Sequence, residues 1–189
     1  MPGKKIIPEL GRTTGLRSFQ AALLAYDGTL IFCDRFFEKG TALAGTMVGC
    51  ALDTVRQISG SLLHEAQKAG RQKPARKLLL RAKSSLGLLQ GYYEDYLATQ
   101  GDTLWDPEEH EAIVVSRRLH GVAFRPDRAD FFAFSELSAG KFANTQICLI
   151  RNAALLLSAG EEDRCMFAPA AIPCNNEIGR QGGFDTLLC

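Results

Sequence analysis

Hydrophobic positions in this chain recur at three- and four-residue intervals over long stretches, with polar positions filling the gaps. Leu16, Phe19, Leu23, Tyr26, Leu30, Cys33 and Phe37 keep that spacing and predict a helix over about 16–38 with those side chains on one face. Gly40 marks a stop and Thr41 an N-cap. A second helix is expected over about 42–69, with Leu43, Met47, Ala51, Ile58 and Leu62 inward, Gly60 as a weak point and Gly70 at its end. Pro74 suits the first turn of a third helix, about 74–100. There Leu79, Ala82, Leu86, Leu89, Tyr93 and Tyr96 form an unbroken stripe. At ~100° per residue, Lys73, Arg76, Lys77, Arg81 and Lys83 fall on the opposite side.

Residues 101–107 read as a turn, and a shorter helix is expected over 107–120. An irregular stretch holding Phe131, Phe132 and Phe134 precedes a last long helix, about 139–159, built on Phe142, Cys148, Leu149 and Leu156. No segment sustains a period-two alternation. The expected fold is all-α: an arm over 1–15, four long helices within 16–160 with the short helix inserted, and a C-terminal extension over 161–189.

The 189 residues suit one domain of the usual ~100–200. At 46% hydrophobic and 23% charged the composition is that of a globular chain, which excludes a fibrous or disordered one. A net charge of +1 means that a nucleic-acid surface has to be a local patch. No apolar run approaches the ~18 residues of a membrane span, and Met1-Pro2-Gly3-Lys4-Lys5 lacks the apolar core of a signal peptide. Cys33, Cys50, Cys148, Cys165, Cys174 and Cys189 include no CxxC pair, which predicts reduced thiols and a cytoplasmic location.

Charge is unevenly spread. Between His64 and Ser85 lie seven basic residues (Lys68, Arg71, Lys73, Arg76, Lys77, Arg81 and Lys83) against one acidic residue, Glu65. A solvated helix face is usually mixed in sign, with opposite charges three or four residues apart. A single-sign face repels itself unless an anion sits on it, and phosphates are the natural partner through counterion release. These seven are the candidate nucleic-acid contacts, with Arg12 and Arg17 as further phosphate contacts; a merely solubilising face is the alternative. Acidic residues gather in Asp102, Asp106, Glu108, Glu109 and Glu111 and again in Glu161, Glu162 and Asp163. They fit either a basic protein partner or two solvated turns.

Signals for catalysis are poor, and no cofactor or metal site is expected. His110-Glu111 opens like HExxH, but position 114 is Val. Gly3-Lys4-Lys5 lacks the rest of a phosphate-binding loop, and no GxSxG occurs. His64, His110 and His120 have no partner at ligand spacing. Glu94 and Asp95 are adjacent, so they point to different sides of a helix. Tyr93 and Tyr96 lie in the apolar stripe, which leaves Tyr92 the freer of the three tyrosines for stacking on a base.

Gly15-Leu16-Arg17-Ser18-Phe19-Gln20, Tyr92-Tyr93-Glu94-Asp95-Tyr96-Leu97 with Leu104-Trp105, Ala143-Asn144-Thr145-Gln146-Ile147-Cys148-Leu149-Ile150 and Gly182-Gly183-Phe184 together carry a family likeness. The chain resembles the four-helix-bundle family related to the protein encoded in 23S ribosomal RNA intervening sequences, in the branch with a four-helix-bundle suffix domain. It is similar also to the accessory variability protein of diversity-generating retroelements. One departure stands out: where the family often has Asn-Ile-Ala-Glu-Gly, this chain has Gln57-Ile58-Ser59-Gly60-Ser61. The resemblance implies an antiparallel four-helix bundle assembled as a homopentameric ring. It also implies a non-enzymatic protein that binds RNA and DNA and partners a reverse transcriptase in complementary-DNA synthesis. An oligomeric scaffold without nucleic acid, or a stand-alone RNA-binding protein of the intervening-sequence type, are the alternatives.

Overall fold

The computed structural model describes residues 11–67, 72–120 and 137–166. They form helices α1 (Gly11–Phe36), α2 (Ala42–Gln67), α3 (Gln72–Gln100), α4 (His110–His120) and α5 (Ala139–Met166), with no strand among the described residues. The chain is all-α.

Each long helix packs against two others in a closed circuit: α1 on α2, α2 on α3, α3 on α5 and α5 on α1. Contacts fix the directions. Leu24 meets Leu149 and Gly28 meets Gln146, so α1 and α5 run oppositely. Asp102, just beyond α3, lies over Gly140, while Glu94 pairs with Arg151 farther along α5, so α3 and α5 are also antiparallel. Cys33 of α1 meets the Ala44 carbonyl near the start of α2, and Gly60 near the end of α2 lies against Leu78 near the start of α3, so these pairs are antiparallel as well. The shorter α4 rides on α5, with Ala112 buried and Val115 against the Leu24–Leu149 pair.

One core runs through the four long helices. Phe32 stands at its centre, with ring centroids of Tyr96, Tyr93, Phe36, Phe142 and Phe37 at 4.9, 5.0, 5.1, 5.7 and 5.9 Å. Burying a ring of that size contributes about 2 kcal/mol, and tilted contacts add to it. From Phe142 to Ile150 every residue of α5 is buried, because α1, α3 and α4 cover it on all sides. The polar members of that run need partners inside the protein. Asn144 has them: its carbonyl accepts from Trp105 N at 2.8 Å, and its amide donates to Thr103 O and Gly140 O at 3.0 and 3.1 Å. That clasp ties the α3–α4 connection to the start of α5.

Helix ends follow their residues. Gly101, at φ +73°, closes α3, with Gly101 N donating to Ala98 O and Asp102 N to Leu97 O. Gly40, at φ +83°, makes the turn between α1 and α2. The Thr41 carbonyl accepts the first bond of α2, from Gly45 N, but its hydroxyl donates backward to Glu38 O at 2.6 Å.

Some sequence expectations shift. Helix α1 begins at Gly11, not Leu16, and its inward face is Ala21, Ala22, Ala25, Thr29, Phe32 and Cys33. Leu30 is 39% exposed and off that face. The third helix starts at Gln72 and α4 at His110, three residues after Pro107. Helix α5 runs through Gly160 to Met166: a helical glycine costs about 1 kcal/mol and does not by itself end a helix. Phe131, Phe132, Phe134 and the chain beyond Met166 lie outside the described residues.

Candidate nucleic-acid interface

The first half of α3 holds the candidate site. Ala75, Leu79, Ala82, Leu86 and Leu89 are buried against the other helices, which turns the opposite side outward. Arg76, Lys77 and Arg81 are exposed there, as the sequence predicts. Lys83 sits at the edge, half-buried and engaged with a neighbour. Lys68 and Arg71 lie outside the described residues, and the side chains of Lys73 and Arg12 are not among those described.

Arg17 is exposed on α1. Cys33 of α1 touches the Ala44 carbonyl of α2, and a Cβ at Gly60 of α2 would meet Leu78 of α3 at 3.3 Å. Counting along antiparallel helices from these contacts puts Arg17 level with Gly60 and Leu78. It therefore shares the basic end, on a different helix. The same counting sets Arg56 of α2 level with Ala82, beside the patch. Its exposed guanidinium lies 3.8 Å from exposed Asp53, a pairing that contributes little. The sequence pattern gave no reason to single Arg56 out; only the α2–α3 register does.

The cations stand at the electrostatically unfavourable end of their helix. The first turn of α3 holds no acidic residue, and none occurs from Ala66 to Tyr93. The N-terminal end of a helix carries partial positive charge, and Arg76 and Lys77 add to it. Arg76, Lys77 and Arg81 make no ion pair with another described residue. The first carboxylate along the helix, Glu94, is taken up by Arg151 at 3.6 Å and by the Gln90 amide at 2.7 Å. Asp102, Asp106, Glu108, Glu109 and Glu111 are exposed at the other end of α3, ~35 Å away at 1.5 Å per residue. Along α3 the charge is polarised, basic at its start and acidic just beyond its end. Glu161, Glu162 and Asp163, whose side chains are not among those described, lie on the last turns of α5, level with Arg81 by the Asp102–Gly140 and Glu94–Arg151 register.

Leucines share the basic face. Leu80 is 50% and Leu88 60% exposed on the outward arc of α3, and Leu63, near the end of α2, is 60% exposed. The helical phase that puts Leu79 and Leu86 inward already turns Leu80 and Leu88 outward, so this feature was open to sequence reading. Tyr93 is fully buried, and Tyr92 and Tyr96 are half-buried against the core, so Tyr92 is less free than its position suggests.

Among the described residues no group of three His, Cys, Asp or Glu side chains is placed to hold a metal ion, and no helix is long and apolar enough to cross a membrane. Cys33, Cys50 and Cys148 are free thiols, each pushed up by burial, Cys33 to about 11. A thiol so shifted is a poor nucleophile at neutral pH. At the departing signature in α2, the Ser61 hydroxyl donates to Ile58 O, and Gln57 Oε1 is buried without a partner among the described residues.

Comparison with protein-family models, with curated proteins and with solved structures returns no significant match.

Proposed function

We propose that this protein is a non-catalytic nucleic-acid-binding accessory subunit, an antiparallel four-helix bundle with an inserted short helix, that works with a reverse transcriptase. The observation that carries the reading is the acid-free first half of α3, where Arg76, Lys77 and Arg81 stand exposed and unpaired among described residues at a helix end that is already positive. A face placed only for solubility gains helix stability from carboxylates there. This face forgoes them, which suits phosphates. RNA or DNA backbone is the ligand, bound largely without regard to sequence. The acidic end, Asp102 to Glu111, is then free to meet a basic protein such as the polymerase. Five copies in a ring, as the family resemblance implies, set the patches in a belt.

A cytoplasmic scaffold without nucleic acid is the second reading. It is favoured by Gly45 and Gly49 on α2 and Gly87 and Gly91 on α3, where an added Cβ meets only open space. Backbone exposed in this way allows close approach by another helix.

Light scattering of the purified protein with and without a structured RNA, at ~50 and ~200 mM salt, tests the two readings. The first predicts a pentamer-sized particle that binds RNA and releases it with added salt. Charge reversal of Arg76, Lys77 and Arg81 to Glu abolishes that binding and leaves the particle mass unchanged. An oligomer that ignores RNA at low salt contradicts it and leaves the scaffold.

A further inference from the structure

We infer that the α3 face takes single-stranded rather than duplex nucleic acid, an inference that rests on the nucleic-acid reading above. The cations do not decide this, since both forms offer phosphates. The leucines do. Leu80 lies one turn from Arg76 and Lys77, next to Arg81, with exposed Ser84 following, so its side chain is ringed by polar and cationic neighbours. Leu88 continues the same arc two turns on, and Leu63 stands at the level of Ala75 across the α2–α3 groove by the register set at Gly60 and Leu78. These are three of the large apolar side chains most open to water. Leu80 and Leu88 share the α3 face with Arg76, Lys77 and Arg81, which make no ion pair with another described residue, and Leu63 stands on the neighbouring helix.

A duplex presents phosphates on its outside and hides the faces of its bases in the stack. The deep major groove of an RNA helix admits no side chain. Apolar groups set among cations therefore find water or sugar edges against a duplex. A single strand offers phosphates and unstacked base faces side by side, the combination that alternating cationic and apolar side chains match. An acidic amphipathic protein helix is the other chemistry with both features. Its carboxylates come with a continuous apolar stripe, whereas Leu80 is a single apolar side chain ringed by Arg76, Lys77, Arg81 and Ser84, a spacing that suits a strand alternating phosphate and base.

Fluorescence anisotropy on the full chain tests this with a labelled unstructured oligonucleotide of about 20 nucleotides and a blunt duplex of equal phosphate count. The single strand is expected to bind about tenfold more tightly. Leu80→Ser and Leu88→Ser each weaken single-strand binding by about three- to tenfold and change duplex binding by less than about twofold, with the salt dependence unaltered. Both positions are exposed, so the circular-dichroism melt should stay in place. Leu88→Tyr supplies a gain-of-function arm, since a stacking ring is expected to tighten single-strand binding alone. Equal affinity for the two forms, with both serine variants silent, overturns the inference and leaves the nucleic-acid reading intact. Failure of both oligonucleotides to bind at low salt overturns both, and binding of an acidic amphipathic peptide instead assigns the face to a protein.

Discussion

Gly28 of α1 lies directly against the amide of Gln146 of α5: a Cβ on residue 28 would stand 2.6 Å from Gln146 Cδ. The glutamine is buried, and its Oε1 has no hydrogen-bond partner among the described residues. The α1–α5 seam is thus closed by a glycine on one side and a polar side chain on the other.

Gly28→Ala is expected to destabilise the protein by about 1–3 kcal/mol, despite alanine's better helix propensity, because the new methyl overpacks the seam. Combining it with Gln146→Ala removes the obstacle, so the double variant should lose less than the sum of the singles. Urea melts of the four proteins measure this coupling. An additive result places the strain elsewhere.

A polar contact also crosses the core between α3 and α1. The buried Tyr93 hydroxyl donates to Thr29 Oγ1 at 3.0 Å, and Thr29 in turn donates to Ala25 O at 2.7 Å. Tyr93→Phe removes a donor and leaves the Thr29 hydroxyl still bonded, at a cost of about 1 kcal/mol. Thr29→Val strands the buried phenol and costs about 2–3 kcal/mol. Thermal melts should rank the two in that order.

Alkaline pH should weaken the fold. Burial pushes the Cys33 thiol up to about 11 and the Tyr93 phenol far above its ordinary value, with Thr29 pulling the phenol slightly back. In the unfolded chain these groups lose their protons near pH ~8.5 and ~10. Above that range the unfolded state binds fewer protons than the folded one, so stability falls as pH rises. It is fully present below about pH 8.5 and declines steadily as pH climbs through 11, as long as the groups stay buried. Denaturant midpoints at several alkaline pH values check the trend, and Cys33→Ala should flatten its lower part.

The Asn144 clasp predicts a local effect. Asn144→Ala leaves Trp105 N and Thr103 O without their partner and costs about 2 kcal/mol. Trp105 is the single tryptophan, so its fluorescence should shift to the red. Chymotrypsin should cut faster at Leu104 and Trp105, while the α3 helical signal stays unchanged.

The helices of this chain are legible from periodicity where bulk and burial coincide. In α3 the large apolar residues are the buried ones, so Leu79, Leu86, Leu89 and Tyr93 give the correct face and the cations opposite follow. In α1 they do not coincide. Ala21, Ala25 and Gly28 are buried, Gly28 directly against Gln146 of α5, and a reading weighted to large side chains drifts to Leu30. Helix α5 hides its burial because Asn144, Thr145 and Gln146 look like surface until α1, α4 and the α3–α4 connection are seen around them. The charge of the candidate site was legible because single-sign runs need no tertiary information. Arg56 was not, since it joins the patch only through the pairing of α2 with α3.

The salt dependence of RNA affinity tests the central claim most directly. Plotting the logarithm of the binding constant against that of salt concentration counts the phosphates neutralised. Arg76→Ala, Lys77→Ala and Arg81→Ala should each reduce the slope by about 0.7–0.9, while Arg35→Ala, at the far end of α1, leaves it unchanged. Slopes that do not respond to the three α3 cations would contradict the account and return this face to the solvent.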